Sequence, residues 1–487
     1  MKNLKDILYQ VAVETIYGST DVSVMSVEID SRKVTDKSVF VALTGVITDG
    51  HKFIPSVIEK GAIAILCEQA PENIQEGITY IVVNDTKEAL AIIADNFYDN
   101  PSQKLKLVGV TGTNGKTTVA TLLFDQFKRA GYKVGLLSTV KVVIDNKEYP
   151  ATHTTPDSIT INRYLNLMVE SGVTHCFMEV SSHGIHQKRT SGLHFTGGVF
   201  TNLTHDHLDY HETFAAYRDV KKIFFDQLPK SAFALVNIDD KNGAVMLQNT
   251  AAKQFTYALK TVADYKAKIL ENQFNGLLLT INNNEVWSKL IGTFNAYNLL
   301  AIFATADILG MEPLENLRLL SVLESVSGRF QHFISESGIT AIVDYAHTPD
   351  ALKNVLGTIN TIRTHNEQVI TVVGCGGDRD KAKRPKMGHI ASELSNQVIF
   401  TSDNPRSEDP EVIIKDMVVG VEPQNSKKTL SIVDREQAIK TASKLAVHGD
   451  ILLIAGKGHE TYQEINGVRT EFDDFKILKE TLKELQK

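Results

Sequence analysis

The sequence predicts an α/β protein of three domains: a small α/β domain over residues 1–102, a central P-loop ATPase-like domain with a parallel sheet over 103–329, and a C-terminal Rossmann-like domain over 330–487. Three observations carry that prediction. A chain of 487 residues is longer than one ordinary core organises. Short apolar runs alternate with helix-length runs at crossover spacing, the pattern of parallel strands covered by helices. The alternation breaks at Asn100-Pro101-Ser102 and again around Ser327 to Phe330.

In chain order, VFVAL, AIAILC and TYIVV read as strands before residue 100, followed by a helix over KEALAIIADNFYDN. From Leu105, LKLVGV reads as a strand, TTVATLLFDQFKRAGY as a helix and KVGLLST as the next strand. Beyond residue 338, GITAIVDYA, QVITVVGC, QVIFTSD and DILLIAG are four candidates for buried strands.

A net charge of -7 argues against nucleic-acid binding, which draws its affinity from clustered Lys and Arg. Cys67, Cys176 and Cys375 stand far apart in no CxxC spacing, so neither a disulfide framework nor a thiolate zinc site is expected. Asp6, Gln10 and Glu14 interrupt any signal-peptide core at the start of the chain. No apolar run reaches the ~18 residues of a membrane span. A cytoplasmic protein without membrane insertion is the expectation.

The strand LKLVGV runs into Thr111, Gly112, Thr113, Asn114, Gly115, Lys116, Thr117 and Thr118 and then a helix, the context of a phosphate-binding loop. Glycines admit backbone N–H groups to phosphate oxygens, Lys116 supplies a point charge, and Thr117 can reach Mg²⁺. Val110 stands where the GxxxxGK[ST] pattern has its first glycine. The plainer alternative is a Gly-rich turn carrying a surface lysine.

The next strands end in Glu179, followed by Ser181, Ser182 and His183, and in the run Thr204-His205-Asp206-His207-Leu208-Asp209-Tyr210-His211. Oxygen and imidazole ligands at neighbouring strand ends can hold a cation beside the loop. Read alone, His205 and His211 are turn histidines. The run also approaches the HxHxDH zinc pattern of metallo-hydrolases, but one inserted residue rotates His211 out of register. Phe214, Tyr217, Lys221, Phe224 and Phe225 share a helical face, so Lys221 points where apolar side chains point. Burial would lower its pKa, and a neutral amine can take up CO₂ as a metal-binding carbamate. The alternative is a snorkelling lysine.

Asp344 ends a buried strand, where an open α/β sheet presents binding residues, or caps the helix that follows. Three other strands lead into Gly376-Gly377-Asp378-Arg379, Asp403-Asn404-Pro405-Arg406 and Gly456-Lys457-Gly458-His459-Glu460. Converging arginines and acids suit a zwitterion with a carboxylate at its far end. A solvated turn in which Asn-Pro merely stops a strand is the alternative.

Across the whole chain TGTNGKT, EVSSHG, DHLDYH, DYAHTPDAL, GGDRDKAKRP, DNPR and GKGHE appear in an order that resembles the Mur ligase family; TGTNGKT is also similar to the loop of folylpolyglutamate synthetase. Ala382 stands where many members have glycine. The resemblance implies a ligase that uses ATP to form an acyl phosphate, which an amine attacks. It implies a nucleotide held by Gly112 to Thr118, Asn295, Asn298, Arg329, Asp344 and His347. It also implies Mg²⁺ on Thr117, Glu179, His207 and a CO₂-derived carbamate of Lys221, with Lys116, Glu179, His207 and Lys221 as the catalytic group. Ser31 in Asp30-Ser31-Arg32 and Asp49 in Gly45 to Gly50 correspond to the uridine region, and His153, Thr154, Thr155, Ser181, Gln187 and Arg189 to the muropeptide stretches. Arg379, Asp403, Asn404, Pro405, Arg406, Gly456 and Glu460 correspond to the amino-acid pocket. Asp-Asn-Pro-Arg marks the branch that adds diaminopimelate to the UDP-N-acetylmuramoyl dipeptide in peptidoglycan synthesis; lysine-adding members carry a small or neutral residue in place of Arg406. A monomer with small-molecule partners is expected. The competing readings are the same reaction with L-lysine, a metallo-hydrolase, and a nucleotide-binding protein that never turns over.

Overall fold

A sheet covered on both faces needs strands that are apolar at every position rather than at alternate ones. The computed structural model describes residues 1–45, 48–204, 206 and 208–487. The chain divides into two compact units, Met1–Tyr265 with Ala304–Gly310 and Lys266–Phe303 with Met311–Lys487, and the central strands of each have that uniform character.

In the first unit, β1 (Val13–Tyr17), β2 (Ser26–Glu28), β3 (Ser38–Val41), β4 (Ala62–Cys67) and β5 (Thr79–Val83) form a sheet in the order β1-β5-β4-β3-β2. Only β1 runs antiparallel to its neighbour. Helix α1 (Thr86–Phe97) covers this sheet with Ala89, Leu90 and Ile93 against Val39, Leu66 and Ile81. Its start is fixed by Asp85, whose carboxylate accepts from the N–H groups of Lys87 and Glu88.

Further along the same unit come β6 (Lys106–Thr111), α2 (Lys116–Arg129), β7 (Val134–Leu137), β8 (Lys141–Ile144) and β9 (Lys147–Pro150). They are followed by α3 (Ser158–Glu170), β10 (His175–Glu179), α4 (Ser182–His186), β11 (Gly197–Phe200), α5 (Phe214–Asp226), β12 (Phe233–Asn237) and β13 (Lys253–Ala258). Their sheet order is β9-β8-β7-β10-β6-β11-β12-β13. All neighbours from β7 to β13 are parallel, whereas β8 and β9 form an antiparallel hairpin on the edge. β6 therefore lies between β10 and β11, and the C-terminal ends of all three open on one edge of the sheet. A core of Leu107, Met178, Phe200, Phe224 and Phe225 packs beneath that edge.

From the end of the first unit into the second, β14 (Tyr265–Gln273), β15 (Gly276–Ile281) and β16 (Asn284–Ser288) make an antiparallel meander, followed by α6 (Thr293–Ile308), whose residues from Ala304 on belong to the first unit. Next come β17 (Gln331–Ile334), β18 (Thr340–Asp344), α7 (Pro349–Ile362), β19 (Val369–Val373), α8 (Lys383–Leu394) and β20 (Gln397–Phe400). The chain continues through α9 (Pro410–Val418), β21 (Thr429–Ser431), α10 (Arg435–Leu445), β22 (Ile451–Ala455), the hairpin β23 (Tyr462–Ile465) and β24 (Val468–Glu471), and α11 (Asp474–Glu484). The sheet runs β17-β18-β22-β19-β20-β21, parallel except for the edge strand β17. The four apolar runs beyond residue 338 are thus four neighbouring strands, with cores on both faces. Among the described residues no helix is long and apolar enough to cross a membrane.

Candidate active site

Gly112 and Gly115 turn the chain from β6 into α2. Gly112 has φ 147°, and a Cβ there would stand 2.0 Å from Thr201 Oγ1, so only glycine lets the loop lie against the end of β11. Thr113 N donates to Asn202 O (2.8 Å) and Asn114 N to Asn202 Oδ1 (3.0 Å), which fixes the loop to the neighbouring strand end. No side chain caps α2 at Gly115, which leaves its start to the Lys116 ammonium and backbone, the arrangement in which a helix N-terminus receives an anion. Lys116 Nζ donates to the carbonyls of Gly112 (3.0 Å) and Thr113 (2.8 Å) and so already lies over the loop.

Glu179 is fully buried at the end of β10 and accepts from Thr117 Oγ1 (2.9 Å) and Thr139 N (2.7 Å). A carboxylate touching a hydroxyl at a phosphate loop is a donor set that fits a hard divalent cation. His205 and His207 lie outside the described residues, and among those described no group of three acidic, His or Cys side chains converges as a metal site. His211 is buried, its ring 5.2 Å from that of Tyr217 and 5.7 Å from that of His183.

Lys221 is 1% exposed, as its helical spacing predicts. Its Nζ donates to Gly112 O at 3.0 Å and stands 4.7 Å from the Tyr217 ring centroid. Burial, with Lys116 nearby, holds its amine well below the usual lysine range, and Asp206 offsets only part of this. A cavity of about 260 Å³ is lined by Lys116 and Lys221 together with His153, Thr154, Thr155, Ser181, Gln187 and Arg189. Phosphate-loop, buried-amine and predicted muropeptide residues therefore share one hollow. Arg189 donates to Thr155 O (2.6 Å) and, through Nε and Nη2, to Gln187 Oε1 (3.0 and 2.6 Å). Thr155 Oγ1 in turn donates to Glu179 O at 2.9 Å.

Elsewhere in the first unit, Asp49 accepts from His51 N (3.0 Å) and pairs with His51 Nδ1 (2.7 Å), contacts that hold its carboxyl below the usual range. The carbonyl of Ser31 accepts from Lys60 Nζ at 2.7 Å. Residues 46 and 47, inside the predicted Gly45 to Gly50 segment, lie outside the described residues.

A second group forms in the other unit. Asn404 is the hub: its Nδ2 donates to Glu460 Oε2 (2.7 Å), and its Oδ1 accepts from Lys457 Nζ (3.0 Å) and Glu464 N (2.9 Å). Arg406 takes φ 53° and donates from Nη1 to Gly377 O at 2.6 Å. A Cβ on Gly377 would meet Pro405 O at 1.9 Å, so the diglycine is what lets the Asp403–Arg406 turn close against it. Arg379 is exposed and donates to Asp378 O at 3.4 Å.

The predicted nucleotide residues of this unit adjoin that group. Asp344 accepts from Phe330 N (2.6 Å), while Thr348 caps α7, so the helix-cap reading of Asp344 does not hold. Burial pushes the Asp344 carboxyl up to about 6. Arg329 lies 4.9 Å from the Tyr345 ring centroid, and the Tyr345 ring meets those of His347 (4.5 Å) and His459 (4.9 Å) at tilted angles. Asn295 instead bonds locally, donating to Ile291 O just before α6 (2.9 Å) and accepting from Asn298 Nδ2 within it (3.0 Å). Sequence reasoning assigned no role to Thr139, Tyr217, Tyr345 or the fully buried Lys457; a lysine between glycines gives no periodic signal of burial.

Phosphate loop, sheet order and strand-end residues together define a class. The chain belongs to the Mur ligase family: the family models "Mur ligase family, catalytic domain", "Mur ligase middle domain" and "Mur ligase, glutamate ligase domain" match residues 23–98, 110–306 and 328–458. It is 56% identical over 485 residues to the UDP-N-acetylmuramoyl-L-alanyl-D-glutamate--2,6-diaminopimelate ligase of Cytophaga hutchinsonii, covering 99% of this chain and 100% of that one. The enzyme of the same name from Bacteroides fragilis is 54% identical, with 98% of each chain covered. A solved structure of a ligase of that name superposes with TM-score 0.72 at 33% identity, over 100% of this chain and 99% of the other. The Thermotoga maritima MurF ligase in complex with ADP shares the fold, at TM-score 0.63 and 19% identity over 95% of this chain and 98% of that one.

Proposed function

We propose that the protein joins meso-diaminopimelate to UDP-N-acetylmuramoyl-L-alanyl-D-glutamate at the expense of ATP, in the cytoplasm, as a step of peptidoglycan synthesis. The observation that carries the choice of amino acid is one turn that bears both Arg406, whose guanidinium donates to Gly377 O, and Asn404, which donates to Glu460. A guanidinium suits a distal carboxylate and a carboxylate suits an ammonium. Lysine has no distal carboxylate for Arg406 to bind.

Lys116 and the first turn of α2 orient the triphosphate, and Arg189 with Thr155 and Ser181 orients the muropeptide. The γ-carboxylate of the D-glutamyl residue displaces ADP from the γ-phosphorus, giving an acyl phosphate. The amine of diaminopimelate, after losing a proton, adds to that carbonyl; collapse of the tetrahedral species expels phosphate and leaves an amide. The lowered basicity of Lys221 favours the neutral amine, the form that adds CO₂ and loses a proton to become a carbamate. Magnesium held by Thr117, Glu179, His207 and that carbamate would supply charge neutralisation at the phosphates.

Phosphate release measured with the UDP-dipeptide and either diaminopimelate or L-lysine tests the reading. Turnover with diaminopimelate and little with lysine is expected; equal rates would remove Arg406 from substrate selection. Arg406→Ala is expected to cost about 2–5 kcal/mol in diaminopimelate recognition, read from KM, with the KM for ATP unchanged.

A further inference from the structure

We infer that Arg435 and Asp474 are positioning residues for the amino-acid site, an inference that rests on the proposed function and on the family resemblance that assigns Asp403 and Gly456 to that site. Asp474 lies beyond the residues matched by the glutamate-ligase family model, 328–458. Arg435 opens α10, Asp474 opens α11, and both side chains are fully buried. Arg435 Nε donates to Asp474 Oδ1 at 2.8 Å and Nη2 to Oδ2 at 2.7 Å. The fork also reaches two strand-end carbonyls, Nη2 to Ala455 O at 3.1 Å and Nη1 to Ser402 O at 3.5 Å.

The next residues in the chain are Gly456 and Asp403, so close together that a Cβ on Gly456 would stand 2.6 Å from Asp403 Oδ2. Their strands, β22 and β20, are not neighbours: β19 runs between them. No ladder of the sheet joins the two ends directly, and the guanidinium does so. Stability alone does not favour this choice. Arg435 opposes the dipole of α10 while Asp474 favours that of α11, so the two offset, and an apolar pair of similar volume often serves a core as well as a buried ion pair. What an apolar pair lacks is directed donors that fix two carbonyls in one plane.

Arg435→Met combined with Asp474→Leu removes both charges while keeping the core filled. The expected result is a folded enzyme whose KM for diaminopimelate rises about tenfold or more, while its KM for ATP stays within about twofold. Asp474→Asn, the milder change, should raise the same constant less. In the unaltered protein, adding diaminopimelate should slow amide exchange in residues 472–480 together with 401–406. A folded double variant with the original KM for diaminopimelate overturns the inference. Should that variant not fold, protection confined to 401–406 in the unaltered protein overturns it. Failure of the functional reading looks different: the unaltered chain itself would release no phosphate with diaminopimelate.

Discussion

Lys221 sits in apolar surroundings with Lys116 nearby, so its amine gives up its proton at a lower pH in the folded chain than in the unfolded one. The unfolded state then binds more protons, and stability rises with pH between the native and unfolded pKa values. In bicarbonate-free buffer, Lys221→Met is expected to be more stable than the original near pH 7, by about 0.5–2 kcal/mol, with turnover lost. The gap should close as pH approaches 10, and thermal unfolding across that range checks it. Asp344 carries the opposite sign. Its folded pKa of about 6 exceeds the ordinary 3.8, so the ionised form is the costly one and stability falls as pH rises from about 4 through 6. Asp344→Asn should therefore gain about 2–3 kcal/mol over the original at pH 8 relative to pH 4; an equal difference at both pH values would rule this out. The burial of Lys221 was legible because Phe214, Tyr217, Phe224 and Phe225 recur with it at helical spacing. That the Asn404 and Glu460 segments would converge was legible from their places at strand ends, but the bonds that make Asn404 the hub, to Lys457 and Glu464 as well as Glu460, were not, because those partners lie more than fifty residues away in the chain.

Among the elements, strands such as β19 and β22 were readable because parallel neighbours and two covering layers demand unbroken apolar runs. The hairpins β8/β9 and β23/β24 were not. Their outer strands β9 and β24 are largely exposed, so neither periodicity nor composition separates them from loops. The contact between the diglycine after β19 and the turn after β20 makes a prediction at this scale. Gly377→Ala would drive a methyl into Pro405 O and displace the turn that carries Asn404 and Arg406. Its KM for diaminopimelate should rise at least about tenfold, while binding of the UDP-dipeptide, followed by calorimetry, stays unchanged. Weakened binding of both would point to a general loss of folding.

At the level of the molecule, each compact unit has its own hydrophobic core, so calorimetry should resolve two unfolding transitions rather than one. The predicted uridine and muropeptide residues Ser31, Asp49 and Arg189 all belong to the first unit. The UDP-dipeptide at a hundred times its Kd should stabilise one transition by about 2.7 kcal/mol and leave the other in place; a single transition shifting as a whole would contradict this. The turn at Arg406 bears on how such a protein changes over generations. Its backbone lies in the left-handed region at φ 53°, where a side chain with a Cβ costs roughly 1–2 kcal/mol and glycine costs almost nothing. Replacing that arginine with glycine would relax the backbone, so if Arg406 selects the diacid as proposed, the selective form is the more strained one and loss of selectivity runs thermodynamically downhill.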